Sequence, residues 1–244
     1  HWNRWFNGVE GVISQIDVLP VGGNHETYKE YSLRTTQKSR CLKTFFKVPQ
    51  NGPEGYKSQV YSFDYGNMHF VILDSQYDEQ KKFDGSILET QKKWLDNDLK
   101  KTNKPWKIVL FHKSPFPNMP SRPNNQVKAA FQPIFDKYHV DVVFNGHDHC
   151  VARTYAINGD KYFDKPSLGT VYYIAGRSGN KVYNNTQQMK WDAFFCNPKD
   201  QPSYIIAEMT GNKLVLTAKK QDGELIDTFT IDKSTDTFTP KINK

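Results

Sequence analysis

The sequence predicts an α/β fold in which parallel strands carry covering helices and β-hairpins close the chain, and three observations lead there. Apolar strand runs alternate with amphipathic helical segments through the first half. The last part reads as strand only. Two of the buried runs end directly in histidine-bearing turns, Phe111-His112 and Phe144-Asn145-Gly146-His147. Strand–helix alternation places neighbouring strands parallel with helices over them, whereas consecutive strands form hairpins.

Taken in order, Trp2, Trp5, Phe6, Val9, Ile13 and Ile16 recur at helical spacing, which predicts one amphipathic helix to about residue 16 with its Trp and Phe stripe packed into the core. The short run Val18-Leu19-Pro20-Val21 is a strand candidate that ends in Gly22-Gly23-Asn24-His25-Glu26. From Thr27 to Gly55 the chain is polar and irregular. Residues 60–74 read as two strands joined at Tyr65-Gly66-Asn67. Ile87, Leu88, Gln91, Trp94, Leu95 and Leu99 share one helical face, and Trp106 to Phe111 is a buried strand that delivers His112. The proline-rich stretch from Ser114 to Pro123 is a loop, and Val127 to Tyr138 is a helix kinked or restarted at Pro133. Val140 to Phe144 is a further buried strand. Strands follow near 170–175, 204–209, 213–219 and 225–231, the last two joined at Asp222-Gly223, a hairpin signal.

Length and composition narrow the function classes. At 244 residues the chain fits one large α/β domain, and its 37% hydrophobic content suffices for a sizeable core. No apolar run approaches the roughly 20 residues that cross a bilayer. The net charge is 33 − 26 = +7, but the lysines are scattered, so a solvated surface rather than a nucleic-acid face is expected. Three cysteines without a CxxC spacing (Cys41, Cys150, Cys196) argue against a disulfide framework or a thiolate zinc site.

The chemistry gathers at strand ends. In open α/β sheets ligands bind beyond the carboxyl ends of the strands, so Asn24-His25, His112 and His147-x-His149 are expected on one edge although far apart in sequence. Gly22, Gly23 and Gly146 permit close backbone approach there. Imidazole nitrogens and amide oxygens suit borderline divalent metals, and two histidines spaced as His147 and His149 on a turn can face different ions. His69 in mid-strand, His139 at a helix end, Asp148 as a loop cap and buried Cys150 read as structural residues.

Gly22-Gly23-Asn24-His25-Glu26, Ile108-Val109-Leu110-Phe111-His112 and Gly146-His147-Asp148-His149, in that order, resemble the calcineurin-like metallophosphoesterase superfamily and, within it, the purple acid phosphatases. Looser similarity runs through Tyr61 to Gly66 and the closing hairpin. The resemblance implies a metallophosphoesterase-type α/β/β/α sandwich of mixed sheets in a single domain over residues 1–244. It implies two metal ions drawn from Fe, Zn or Mn. Asn24, His112 and His147 would bind the second metal and His149 the first. Asn24 and His25 would meet the substrate, with His25 as general acid, and Arg153 would bind phosphate. The implied reaction is hydrolysis of small phosphate monoesters by a dinuclear-metal-activated hydroxide, with a phosphodiesterase or nucleotidase as the alternative on the same scaffold. Specificity is expected in the loops 27–58, 114–126 and 176–200. A secreted or extracytoplasmic location is implied as well.

Two departures qualify the resemblance. The family pattern opens with an Asp on an early strand and a Gly-Asp-x-x-Tyr segment whose Asp bridges both metals, yet the sole Asp before Gly22 is Asp17, preceded by Ile16. The reading is therefore that the first metal-binding segment lies ahead of His1, so these 244 residues alone hold metal incompletely and turn over little; a structural or binding role is the alternative. After its Gly-His-x-His the family carries Tyr-Glu-Arg; here Cys150-Val151-Ala152-Arg153 keeps only the arginine.

Overall fold

The computed structural model describes residues 2–27, 40–81 and 84–236. His1 and residues 28–39, within the stretch read as an irregular excursion, lie outside the described residues. One mixed sheet of eight strands carries the architecture, in the order β1-β2-β3-β4-β7-β5-β6, with β8 also pairing β5. Its strands are β1 (Tyr61–Tyr65), β2 (Met68–Ile72), β3 (Trp106–Lys113), β4 (Val142–Gly146), β5 (Val151–Asn158), β6 (Lys161–Phe163), β7 (Thr170–Ala175) and β8 (Asp192–Cys196). A second, antiparallel sheet holds β9 (Ser203–Thr210), β10 (Lys213–Lys220) and β11 (Leu225–Asp232).

The expected parallel core is present. β2, β3, β4 and β7 run parallel, so their carboxyl ends share one edge. β1 and β2 form the predicted hairpin, and Gly66 supplies its left-handed turn at φ 56°. Helices α4 (Ile87–Lys101) and α5 (Asn125–Tyr138) pack together over one face, and the one-turn α3 (Tyr77–Gln80) contacts α4. Leu95, Leu99, Phe131 and Phe135 bury there against Val109, Phe111, Val143 and Tyr172; each such side chain contributes roughly 1.5–3 kcal/mol. The opposite face packs Trp106, Ile108, Val142 and Tyr173 against Leu214, Leu216 and Ile231 of the small sheet. Among the described residues the layers are thus helix, large sheet, small sheet.

Several local expectations change. The first helix, α1 (Trp2–Gly8), stops far short of residue 16. Gly8 costs about 1 kcal/mol in a helix relative to Ala, and Gly11 takes φ 79°, outside helical geometry. None of its residues is buried. The aromatic stripe packs instead against Phe45 and Phe46 at the end of α2 (Arg40–Phe45), with Trp2–Phe45 and Trp5–Phe46 centroids 5.4 and 5.7 Å apart, so it is a surface cluster rather than core. Val18 to Val21 forms no strand among the described residues; Pro20 has no N–H for a ladder, and its carbonyl accepts from the Tyr61 hydroxyl at 3.1 Å. α5 runs through Pro133 as one helix and ends at His139, whose φ of 50° is a left-handed cap.

His69 on β2 is structural, as read. Its Nδ1 lies 2.7 Å from Asp64 and its Nε2 2.9 Å from Asp98. Burial disfavours the charged ring, but the two carboxylates together outweigh it and raise the pKa above the ordinary 6.5. A raised pKa gives stability that is complete below the unfolded value and lost as pH rises through the folded one. The urea midpoint should therefore fall between pH 6 and 9 in the wild type more steeply than in His69→Asn. Parallel curves for the two proteins would remove this account.

Candidate metal and substrate site

Each ligand candidate reaches the carboxyl edge of the parallel strands by a different local device. Asn24 and His25 lie on a single 3-10 turn, Asn24–Glu26, whose start is fixed by the Glu26 carboxylate accepting the Gly23 N–H at 2.8 Å. A Cβ on Gly23 would stand 3.0 Å from that carboxylate and 3.2 Å from the His112 ring. Any larger residue there would have to displace the carboxylate or the ring by a few tenths of an ångström. His112 sits where the β3–β4 register slips between Leu110 and Lys113, and such a slip re-aims a side chain beside a functional site. His147 and His149 both adopt left-handed backbone, φ 72° and 55°, which costs of order 1–2 kcal/mol each. The Asp148 N–H meanwhile donates to the Gly146 carbonyl at 2.9 Å, so the two rings leave the turn differently.

These devices bring three donors together. His112 Nε2 stands 2.8 Å from Asn24 Oδ1 and 3.0 Å from His147 Nδ1. The amide oxygen brings only lone pairs, and each ring nitrogen brings at most one proton; three electronegative atoms this close form a donor set that a cation satisfies. Both rings are uncharged near neutrality. Burial, then Lys113, His25 and His149, push His112 down to about 4. Burial, then His112, Arg122, Lys113 and His149, push His147 to about 3. Neutral imidazole is the form that binds metal.

The remaining candidates are placed less tightly. His149 is near enough to depress both rings, but its Nδ1 faces the Lys181 carbonyl at 2.7 Å and its ring packs on Tyr183, 4.4 Å between centroids. His25 is exposed beside Asn24 and near enough to His112 to lower its pKa. Arg153 is not brought to this edge. On β5 it forms a bidentate pair with Asp227 of β11, at 2.8 and 3.2 Å, with its guanidinium over Phe229. The bonds of β5 direct that side chain between the two sheets, so the substrate role read from the sequence is corrected. No group of three or more His, Cys, Asp or Glu that could hold a metal occurs among the described residues. The donor set fits one cation through Asn24, His112 and His147; His149, the residue read for the other ion, is nearby.

Asp148 and Arg122 escaped full recognition in the sequence. Asp148 is more than a local cap: its Oδ2 accepts the N–H groups of Asn118 and Met119 at 2.7 and 3.2 Å, clamping the loop after β3 onto the histidine turn. Burial raises its pKa to about 6 against those two bonds. Arg122, on that loop, places Nη1 3.5 Å from His147 Nε2. A basic residue inside a proline-rich loop carries no periodic signal.

Comparison with known proteins bears on the family and the fold. Residues 2–151 match the family model of the calcineurin-like phosphoesterases. Purple acid phosphatase 15 of Arabidopsis thaliana is 26% identical over 185 residues, covering 74% of this chain and 32% of that protein. An acid phosphatase of Aspergillus ficuum is 26% identical over 259 residues, covering 75% of this chain and 42% of its own length. The chain thus spans less than half of these relatives. In fold it is similar to a purple acid phosphatase from yellow lupin seeds, with TM-score 0.64 and 23% identity over 80% of this chain and 35% of that one. The expected superfamily, mixed α/β class and likeness to purple acid phosphatases are all upheld. No helix among the described residues is long and apolar enough to cross a membrane. With the match extending over more than half its residues, the chain belongs to the calcineurin-like phosphoesterase family.

Proposed function

We propose that the protein hydrolyses small phosphate monoesters at a metal centre to which Asn24, His112, His147 and His149 contribute. The observation that carries this is the meeting of one amide oxygen and two neutral imidazoles within 2.8–3.0 Å, from segments 88 and 35 residues apart. The likeness to plant and fungal acid phosphatases supports the same reading. A metal ion of the Fe, Zn or Mn class, when bound, supplies Lewis acidity toward phosphoryl oxygens and a nucleophile at neutral pH. Asn24, His112 and His147 would hold one ion, and His149 would serve a second.

The chain's own residues supply the rest. His25, exposed beside Asn24, stands where it can donate a proton to the departing alkoxide. Lys113, buried and paired with Glu79 at 2.8 Å, adds positive potential behind His112 and His147 without competing for the substrate. An extracytoplasmic location belongs to the same proposal.

Hydrolysis of para-nitrophenyl phosphate with added manganese or zinc tests it. Robust turnover by the 244 residues would mean that these four side chains suffice. Turnover confined to a longer parent chain would mean that carboxylates from elsewhere complete the centre. Absence of metal-dependent turnover from both would overturn the reading, and preference for a bis-ester would replace the monoester by a diester.

A further inference from the structure

A cation-rich arm flanks the histidines and is used by nothing described so far. Arg122 comes from the loop after β3, and Lys181 and Tyr183 from the loop between β7 and β8. The Arg122 guanidinium lies over the Tyr183 ring at 4.7 Å and the Lys181 ammonium at 5.1 Å, positions where the ring quadrupole attracts a cation. Burial raises the Tyr183 phenol, but its bonds to Arg122 and Lys181 outweigh that and hold it below its ordinary value.

The two loops are stitched together, so the arm is held in place. Gln187 N–H donates to the Asn118 carbonyl at 3.0 Å and Asn118 Nδ2 returns to the Gln187 carbonyl at 3.1 Å. The Arg122 N–H donates to the Met119 carbonyl at 3.0 Å, beside the Asp148 clamp. Charge is left over. Lys113 has its own carboxylates, Glu79 and Asp78 at 2.8 and 3.7 Å. Among the described residues no carboxylate forms an ion pair with Arg122 or Lys181; Asp148 is near enough for its charge to be felt by Arg122 but is not in ion-pair contact with it.

Position then fixes what the arm can read. His147 turns Nδ1 toward His112 and Nε2 toward Arg122. Arg122 therefore stands on the far side of the His147 imidazole from Asn24 and His112, beside the donor set that would hold a cation rather than within it. We propose that Arg122 and Lys181, mounted on Tyr183, form an anion-binding arm that reads a second negative group on the substrate, so that phosphate esters bearing a further phosphate or a carboxylate are preferred over those with a neutral leaving group. This rests on the phosphatase reading for its substrate class, but binding of an anion to the arm does not.

Calorimetric titration with inorganic pyrophosphate and inorganic phosphate, with and without zinc, separates the two. Pyrophosphate should bind the wild type more tightly than phosphate. Arg122→Gln should weaken pyrophosphate binding roughly tenfold or more, the loss of one charge-assisted hydrogen bond, and leave phosphate binding within about threefold; Arg122→Lys should restore part of the loss. Lys181→Gln should act in the same direction with a smaller change. Unaltered pyrophosphate affinity in Arg122→Gln, an equal loss for both anions, or no preference for pyrophosphate in the wild type would each overturn the proposal, provided circular dichroism shows the variant folded; a misfolded Arg122→Gln passes the decision to Lys181→Gln. Arg122-dependent pyrophosphate binding without any ester turnover would keep the arm and remove the phosphatase reading.

Discussion

Replacing His147 by glycine should lower zinc or manganese affinity by at least about a hundredfold while leaving the fold as stable as before or more so. His147 Nδ1 lies 3.0 Å from His112 Nε2, which is itself 2.8 Å from Asn24 Oδ1, and removing a direct ligand should exceed the 10–100-fold typical of losing a partner that only supports one. The same residue holds φ at 72°, a conformation that glycine adopts without strain, so the substitution releases of order 1 kcal/mol. Most substitutions that cost function also cost stability; here the two should move apart. His147→Ala, which keeps the strain, should lose metal equally without that gain. Because the rings of His112 and His147 titrate at about 4 and 3, proton competition should set in only near pH 4, so metal affinity should hold between pH 7 and 5. Competition against a chromophoric chelator reads all three results. Unchanged affinity in His147→Gly, or a fall centred near pH 6.5, would show that the cation sits elsewhere.

That site was partly legible because its ligands share a recognisable setting. His112 follows a buried apolar strand and His147 follows another, and runs such as Val142 to Phe144 announce a parallel core by composition alone. Helix α4 was equally plain, its buried residues Ile87, Leu88, Gln91, Leu95 and Leu99 recurring at helical spacing. β5 was missed for a physical reason: its pairing with β7 shifts register between Arg153 and Ala156, which breaks the alternation that marks a strand. β6 has three residues, too short for periodicity to speak. The first helix was overread because aromatic spacing persists past Gly8 while the backbone does not. Arg122 and Tyr183 could not be found from sequence, since only the Asp148 clamp and the Asn118–Gln187 stitch bring their loops to the histidines.

The misplaced residue, Arg153, leads to the largest stability effect expected in this molecule. It shares motif context with the site but lies between the sheets, where Asp227 accepts its Nε and Nη2 and also the Tyr173 hydroxyl at 2.7 Å. The side chains of Arg153 and Asp227 are only 13% and 8% exposed, so this pair is far from the screened surface regime in which ion pairs contribute little. Taking two charges out of water is costly, and their mutual attraction repays it only when both are present with good geometry. Asp227→Ala therefore strands a buried guanidinium and leaves the Tyr173 hydroxyl without its acceptor, for an expected loss of about 3–5 kcal/mol. The doubly substituted Arg153→Met, Asp227→Leu should recover most of that loss, because no charge then remains unpaired and Met can lie along Phe229 as the arginine does. Urea unfolding of the single and double variants measures both quantities. The double variant should also bind metal like the wild type, since neither residue reaches the histidines. A loss below about 1 kcal/mol in Asp227→Ala would place the pair among weak surface contacts, and loss of metal binding in the folded double variant would return Arg153 to the site.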